Sequence, residues 1–278
     1  MNNTRVTIAT LRERKAARTP ITMLTAYDYS MARILDEAKV DMLLVGDSLG
    51  NVILGYESTL PVTMEDMIHH GRAVCRGTKY SFVVVDMPFM SYQVSAAEAL
   101  HNAGRIMKET GAQAVKLEGG MEILPAVKQI IAAGIPVVGH LGLTPQSVHQ
   151  LGGFKVQGKD TAGAQKLIRD AKALSDAGVA AITLECVPAR LAAKISAESA
   201  VPTIGIGAGN GCDGQVLVVN DMLGMYDGFV PKFVKKFADV KLQIKAAAEE
   251  YKQAVINRQF PADEHTFQMS DEVLDKLY

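Results

Sequence analysis

The stretch SAAEALHNAGRIMKETGAQAVKLE, running from Ser95 to Glu118, carries a helix, a stop and a strand in immediate succession. Ala96, Ala99, Leu100, Ala103, Ile106 and Met107 recur at helical spacing, which gives the segment one apolar face. Ser95 with Glu98 forms a capping box at its start, and Gly111 stands where a C-terminal stop belongs. Ala114 to Glu118 then reads as a strand. Lys116 and Glu118 are two apart, so both point to one face of it. A strand covered on both sides does not hold such a pair for packing alone.

The same order of helix, glycine and strand recurs at Ala133-Gly134 and at Ala177-Gly178. Further strands are expected at Ile21 to Ala26, Met42 to Gly46, Phe82 to Asp86, Pro136 to His140, Ala181 to Glu185, Pro202 to Ile206 and Val216 to Val219. With Ala114 to Glu118 they make eight β units, and no linker rich in Pro, Ser or charge divides them. The fold class expected is α/β, a single (β/α)8 TIM barrel over residues 1–278 with a short N-terminal helix and a C-terminal tail. An open doubly wound sheet with an irregular second half is the rival. The length of 278 residues suits a barrel, which uses about 250 as one domain.

Composition narrows the function classes. Lys and Arg number 29 against 30 Asp and Glu, with no basic block, so nucleic acid is not the expected partner. No apolar run approaches the roughly 20 residues of a membrane span. Cys75, Cys186 and Cys212 form no CxxC pair and read as reduced, mostly buried thiols of a cytoplasmic protein. The basic N-terminus, with Arg5, Arg12, Arg14, Lys15 and Arg18, faintly suggests a presequence. The preferred reading is a basic surface helix capped by Thr10 and Glu13.

Polar residues gather where the strands end: Asp28, Asp47, Asp86, Glu118, His140, Glu185 and, just after the eighth, Asp221. In a barrel these ends form the rim on which active sites are built. Any single acid there can be a helix cap or an ion-pair partner, but that account is hard to extend to all of them. The long stretches Ser48 to Thr63 and Leu141 to Thr161 lie above the same rim and are too apolar for disorder, so they read as lids. Gly209 to Gly214 satisfies GxGxxG, but the strand expected after it leaves no room for the helix a dinucleotide site needs. Gly205, Gly207 and Gly209 serve a turn or a close backbone approach instead. The pair His69-His70 falls in a helix and reads as solvated or at an interface. Met64, Met67, Met87 and Met90 read as core fillers. Asp47, Asp86 and Glu118 offer hard oxygens suited to Mg²⁺, and the rim lacks the soft ligands zinc prefers.

Several motifs resemble the ketopantoate hydroxymethyltransferase family. They are Leu44-Val45-Gly46-Asp47-Ser48-Leu49-Gly50, Ser58-Thr59-Leu60-Pro61-Val62-Thr63, Val115-Lys116-Leu117-Glu118-Gly119-Gly120, Gly139-His140-Leu141-Gly142-Leu143-Thr144-Pro145-Gln146-Ser147 and Leu184-Glu185-Cys186-Val187-Pro188. Thr25 to Ser30 and Ile204 to Gly209 match as well, so the likeness runs from about residue 8 to about 267. It already begins within the basic N-terminal segment, which argues against a removable presequence.

The resemblance implies a barrel like that of phosphoenolpyruvate mutase and isocitrate lyase. It also implies an Mg²⁺-dependent transferase of pantothenate biosynthesis. This enzyme would move a hydroxymethyl group from 5,10-methylenetetrahydrofolate to 3-methyl-2-oxobutanoate through a stabilised enolate, giving 2-dehydropantoate. By the same likeness Asp47 and Asp86 bind the metal, with Glu118 beside it through water. Asp47, Ser48, Asp86, Lys116 and His140 line the keto-acid site, Glu185 is the base, and the assembly is a homodecamer. Charge counting adds that Glu118 or Glu185 carries a raised pKa. The alternatives are a Mg²⁺-dependent C–C lyase of the isocitrate lyase type and a non-catalytic ligand-binding barrel. The lyase usually carries a nucleophilic Cys on a mobile loop, which the three cysteines here do not match.

Overall fold

The computed structural model describes residues 4–225 and 230–277. Eight parallel strands close into a barrel in chain order: β1 (Ile21–Thr25), β2 (Met42–Val45), β3 (Phe82–Asp86), β4 (Ala114–Glu118), β5 (Val137–Gly142), β6 (Ala181–Glu185), β7 (Thr203–Ile206) and β8 (Gly214–Leu217). β8 returns to pair with β1, Ile21 opposite Gly214, so the open-sheet rival is excluded. Helices alternate with the strands and bury their apolar faces on the outside of the barrel. The helix Ala96–Thr110 starts at Ser95, whose side chain accepts from Glu98 N–H, and stops at Gly111 with φ 79°. Gly134 and Gly178 take the same left-handed conformation at the ends of their helices.

Several strand ends differ from expectation by one residue, and β5 and β8 differ by two. β5 runs on to Gly142, because Gly142 pairs with Glu185 where a Cβ would collide with the Glu185 carbonyl. β8 begins two residues early, at Gly214, where a Cβ would collide with the Ile21 carbonyl oxygen. Val219, placed in the strand by its β-branched side chain, instead opens a one-turn helix, and its N–H is held by Thr25 Oγ1 at 2.8 Å.

The inner face changes character along the barrel axis. At its lower end Ile21, Met42, Phe82, Val84, Ala114, Val138, Ala181 and Ile204 pack with Val6 and Leu11 from the N-terminal segment. Two residues further along the same strands, the inward positions become Asp86, Lys116 and His140, and two beyond Lys116 comes Glu118. The period of two that fills the core below therefore aims charge into the cavity above.

The N-terminal helix is a plug rather than a surface helix. It spans Ile8–Ala16, its cap is the reciprocal pair Thr7 and Thr10, and Thr10–Glu13 lies inside it. Leu11 is fully buried, while Arg14 and Lys15 reach across the barrel's lower mouth to Asp41 and Asp213.

The expected lids contain short helices, Leu49–Val52 in the first and Val148–Leu151 in the second. Ile53, Tyr56, Phe154 and Val156 on them are exposed. Met67 and Met87 are buried fillers, but Met90 is exposed, with φ 67°, in the loop after β3. Among the described residues no helix is long and apolar enough to cross a membrane.

Candidate active site

β2, β3, β4, β5 and β6 deliver one buried charged cluster at their C-terminal ends. Asp86 and Lys116 form an ion pair, Oδ1 to Nζ 2.9 Å, with both side chains almost wholly buried. Asp47 follows β2 and donates its backbone N–H to Asp86 Oδ2 at 3.0 Å. His140 lies between two carboxylates, with Nδ1 3.2 Å from Glu118 Oε1 and Nε2 3.3 Å from Glu185 Oε2. Ser48 shares a hydrogen bond of 2.9 Å with Tyr27 OH.

Neutral residues tie the two halves together. Gln146, in the loop after β5, donates from Nε2 to Asp47 Oδ2 at 2.8 Å and from its backbone N–H to Glu118 Oε2 at 3.0 Å. Its own Oε1 accepts from Tyr92 OH at 2.6 Å. A continuous chain of contacts thus runs Asp47, Gln146, Glu118, His140, Glu185. Motif reading passed over Gln146, Tyr92 and Tyr27 as site residues. The only signal for Gln146 is its place in the quoted stretch after β5.

The charges decide the protonation states. Burial pushes the Asp47 carboxyl well above its ordinary range, and the neighbouring Glu118 and Asp86 push it further. Asp86 is raised by burial, with Lys116 offsetting part of the effect. Glu118 moves down: burial opposes its charge, but His140, Lys116 and the Gln146 amide outweigh burial. Burial and Lys116 disfavour a charged His140, yet Glu118 and Glu185 prevail and raise it to about 9. Nδ1 also lies 3.2 Å from Lys116 Nζ, but an imidazolium directs that N–H at Glu118 while Lys116 serves Asp86. The strained carboxyls are thus Asp47 and Asp86, and of the two acids expected to carry the raised pKa, Glu118 moves the other way. The cause is His140, a cation that counting strand-end acids did not supply.

Two expected rim acids stay outside the cluster. Asp28 is exposed and caps the helix Tyr29–Glu37 by accepting from Met31 N–H at 2.8 Å. Asp221 lies in the one-turn helix after β8, where half-burial raises its carboxyl. Glu185 pairs with His140 rather than with Arg190. His70 donates from Nδ1 to the Tyr27 carbonyl oxygen, 2.6 Å away, and His69 is exposed. Gly207 and Gly209 take positive φ where a Cβ would meet Phe233 and Ala189, so these glycines serve turns and chain packing.

Among the described residues Asp47, Asp86, Glu118 and Glu185 face Lys116 and His140 as cations, an excess of two negative charges if all four ionise. Asp86 Oδ1 and Glu118 Oε1 are buried without a hydrogen bond of good geometry. Among the described residues no three His, Cys, Asp or Glu side chains converge to enclose a metal. Mg²⁺ does not require such an enclosure, because one or two carboxylates hold it and water and substrate oxygens complete its shell. Glu118 has its countercharge in His140, whereas burial and crowding hold Asp47 and Asp86 up, so these two would fit a divalent cation as direct donors.

Comparison with known proteins follows the same line. The ketopantoate hydroxymethyltransferase family model matches residues 5–263. The chain is 61% identical over 274 residues to the 3-methyl-2-oxobutanoate hydroxymethyltransferase of Carboxydothermus hydrogenoformans, covering 99% of each chain. It is 58% identical over 278 residues to the enzyme of that name from Enterococcus faecalis, covering 100% of each. Among solved structures it is similar to phosphonopyruvate hydrolase in complex with oxalate and Mg²⁺, with TM-score 0.57, 12% identity and coverage of 98% and 94%. A 2,3-dimethylmalate lyase of the PEP mutase/isocitrate lyase superfamily gives TM-score 0.57 at 13% identity, covering 97% and 94%. At such identities these structures share the fold.

Proposed function

The chain belongs to the ketopantoate hydroxymethyltransferase family, and from that premise we propose how its cluster carries out the family reaction. A hydroxymethyl group passes from 5,10-methylenetetrahydrofolate to 3-methyl-2-oxobutanoate. The C3 proton leaves, C3 bonds to the folate's methylene carbon, water supplies the hydroxyl oxygen, and both C–N bonds of that carbon break, the C3 proton and one proton of the water passing to the two folate nitrogens. The products are 2-dehydropantoate and tetrahydrofolate.

Removing a proton beside a ketone requires a base on one side and stabilisation of oxyanion charge on the other. Asp47 and Asp86 would hold Mg²⁺, with Glu118 nearby through water, and the ion would polarise the keto oxygen as a Lewis acid. Lys116 and Ser48 face the keto acid, and Lys116 supplies the positive charge for its carboxylate. Glu185 takes the C3 proton. It ends β6, four strands round the ring from β2, so the substrate lies between base and metal site. His140, 3.3 Å from Glu185 Oε2, fixes that carboxylate and links it to Glu118. The loops carrying Tyr56 and Phe154 close over the bound substrates and exclude water.

The observation that carries this reading is the single buried cluster joining Asp47 to Glu185 through Gln146, Glu118 and His140. The lyase reading needs a reactive thiol, yet burial pushes Cys186, the rim cysteine, up to about 11. The test is turnover of the purified protein with both substrates, with and without EDTA. Formation of 2-dehydropantoate should require the folate and a divalent cation. Carbon–carbon cleavage at full rate without folate would overturn the proposal.

A further inference from the structure

A cavity of about 640 Å³ opens between the loops that follow β3, β4 and β5 and the helix Thr161–Asp176. Glu118 and Tyr92 belong both to its wall and to the charged cluster, so cavity and cluster are one connected space. Its volume lies in the range of roughly 300–1,000 Å³ that suits a drug-sized ligand, far more than a small keto acid fills. Ile123, Leu141, Leu151 and Leu167 line it with apolar surface. At its outer end Lys166 is held by Asp170 Oδ2 at 2.6 Å and lies 3.7 Å from Glu122 Oε2. That end therefore carries two carboxylates against one cation.

We propose that this cavity receives the ring system of the folate co-substrate, with the donor edge of the pterin read by Glu122. The assignment rests on the transferase reading above. Flat aromatic rings match the apolar walls. The 2-amino and ring N–H groups of a pterin are adjacent donors and match a carboxylate, which only accepts when ionised. Placing the folate here puts its one-carbon unit on the Glu118 side, where the keto acid is held. The other wall of the cluster, along β2 and β3, is occupied by the Asp47–Asp86–Lys116 contacts.

The chain contains no tryptophan, so one introduced at the cavity mouth reports on it alone. Phe89 is an exposed wall residue, and Phe89→Trp is a mild change there. Titration of this variant with tetrahydrofolate should quench its emission saturably, and adding Glu122→Gln should weaken the apparent affinity at least tenfold. In a second experiment Gln150→Trp, which adds bulk at another exposed wall position, should raise KM for methylenetetrahydrofolate at least tenfold. Its KM for the keto acid, and C3 hydrogen–deuterium exchange in that acid without folate, should stay within twofold of the unmodified protein. A flat emission titration together with an unchanged folate KM in Gln150→Trp would overturn the cavity assignment. Loss of all transfer by the unmodified protein would instead sink the transferase reading, and tetrahydrofolate binding to Phe89→Trp would still be read directly.

Discussion

The barrel has carboxylates at both ends, and they are treated in opposite ways. At the lower end Asp41 accepts from Thr22 N–H at 2.9 Å and from its hydroxyl at 2.8 Å, and pairs with Arg14 at 2.7 Å. Asp213 accepts from the N–H and hydroxyl of Thr203 and from Lys15. Asp36 accepts from three successive backbone amides, Lys79, Tyr80 and Ser81. Each of these acids closes off the exposed N–H groups where strands begin, and the plug helix supplies the countercharge for Asp41 and Asp213. At the upper end Asp47, Asp86 and Glu118 crowd one another, and burial raises the first two. The same residue type is thus a fastener below and a strained, reactive group above. On the proposed reading, stability and function are separated along the barrel axis.

The largest effect that would break this comparison belongs to the upper pair. Asp86→Asn and Asp47→Asn should each lower kcat/KM on the order of 10⁴-fold, since on the proposed reading each removes a metal donor and with it several kcal/mol of oxyanion stabilisation. Stability of the metal-free Asp47→Asn protein should be unchanged or higher, because a crowded buried charge is gone, whereas Asp86→Asn also leaves buried Lys116 without its partner and should cost about 3–5 kcal/mol. A variant that keeps full activity and Mg²⁺ affinity is not altered at a ligand. A variant that loses activity only because it unfolds would put that acid with the lower, structural group.

Glu185 tests the division within the upper end. Glu185→Gln should slow C3 hydrogen–deuterium exchange in 3-methyl-2-oxobutanoate, with Mg²⁺ and without folate, by about 10²–10⁴-fold. Mg²⁺ and the keto acid should still bind. Exchange within about tenfold of the unmodified protein would mean that another group takes the proton.

How far the two ends could be read from sequence follows from the same contrast. The strands were legible because helix, glycine and strand follow one another locally, as between Ser95 and Glu118. The strand-end charges Asp86, Lys116, Glu118, His140 and Glu185 were legible because a period of two places them on one inner face. Asp28 was misplaced because a strand-end acid and a helix cap have the same sequence appearance. Gln146 and Tyr92 were missed because they are neutral residues on loops, and Gln146 meets Asp47 across 99 residues of chain. The plug helix looked like basic surface because Asp41 and Asp213, its partners, are distant in sequence.

A smaller effect is expected below. Asp41→Asn should leave kcat/KM near that of the unmodified protein at 25 °C while costing about 2 kcal/mol of stability, because it breaks charge-assisted hydrogen bonds to Thr22 and Arg14. Urea unfolding reads the loss as a lower midpoint at constant m. An unchanged midpoint would show that the Arg14 bridge holds nothing in place.

The smallest effect is one of slope, and it compares both ends in a single titration of the metal-free protein. Burial disfavours the Asp36 charge, but donations from Ser81, Lys79 and Tyr80 outweigh it and lower the pKa of the folded state. A carboxylate held down in this way contributes stability that is fully present above its unfolded pKa, near 3.9, and is lost as pH falls through the folded value. Asp47 and Asp86 have the opposite sign. Their raised folded values mean that ionisation costs stability at neutral pH, and the cost is relieved as pH falls through those values towards about 3.9. Urea midpoints between pH 7 and pH 3 should therefore separate the variants. Asp47→Asn should remove part of the gain on acidification above pH ~4, and Asp36→Asn should flatten the fall below it. If both substitutions changed the same limb in the same direction, the two ends would share one electrostatic character. The division between fastening and reacting carboxylates would then fail.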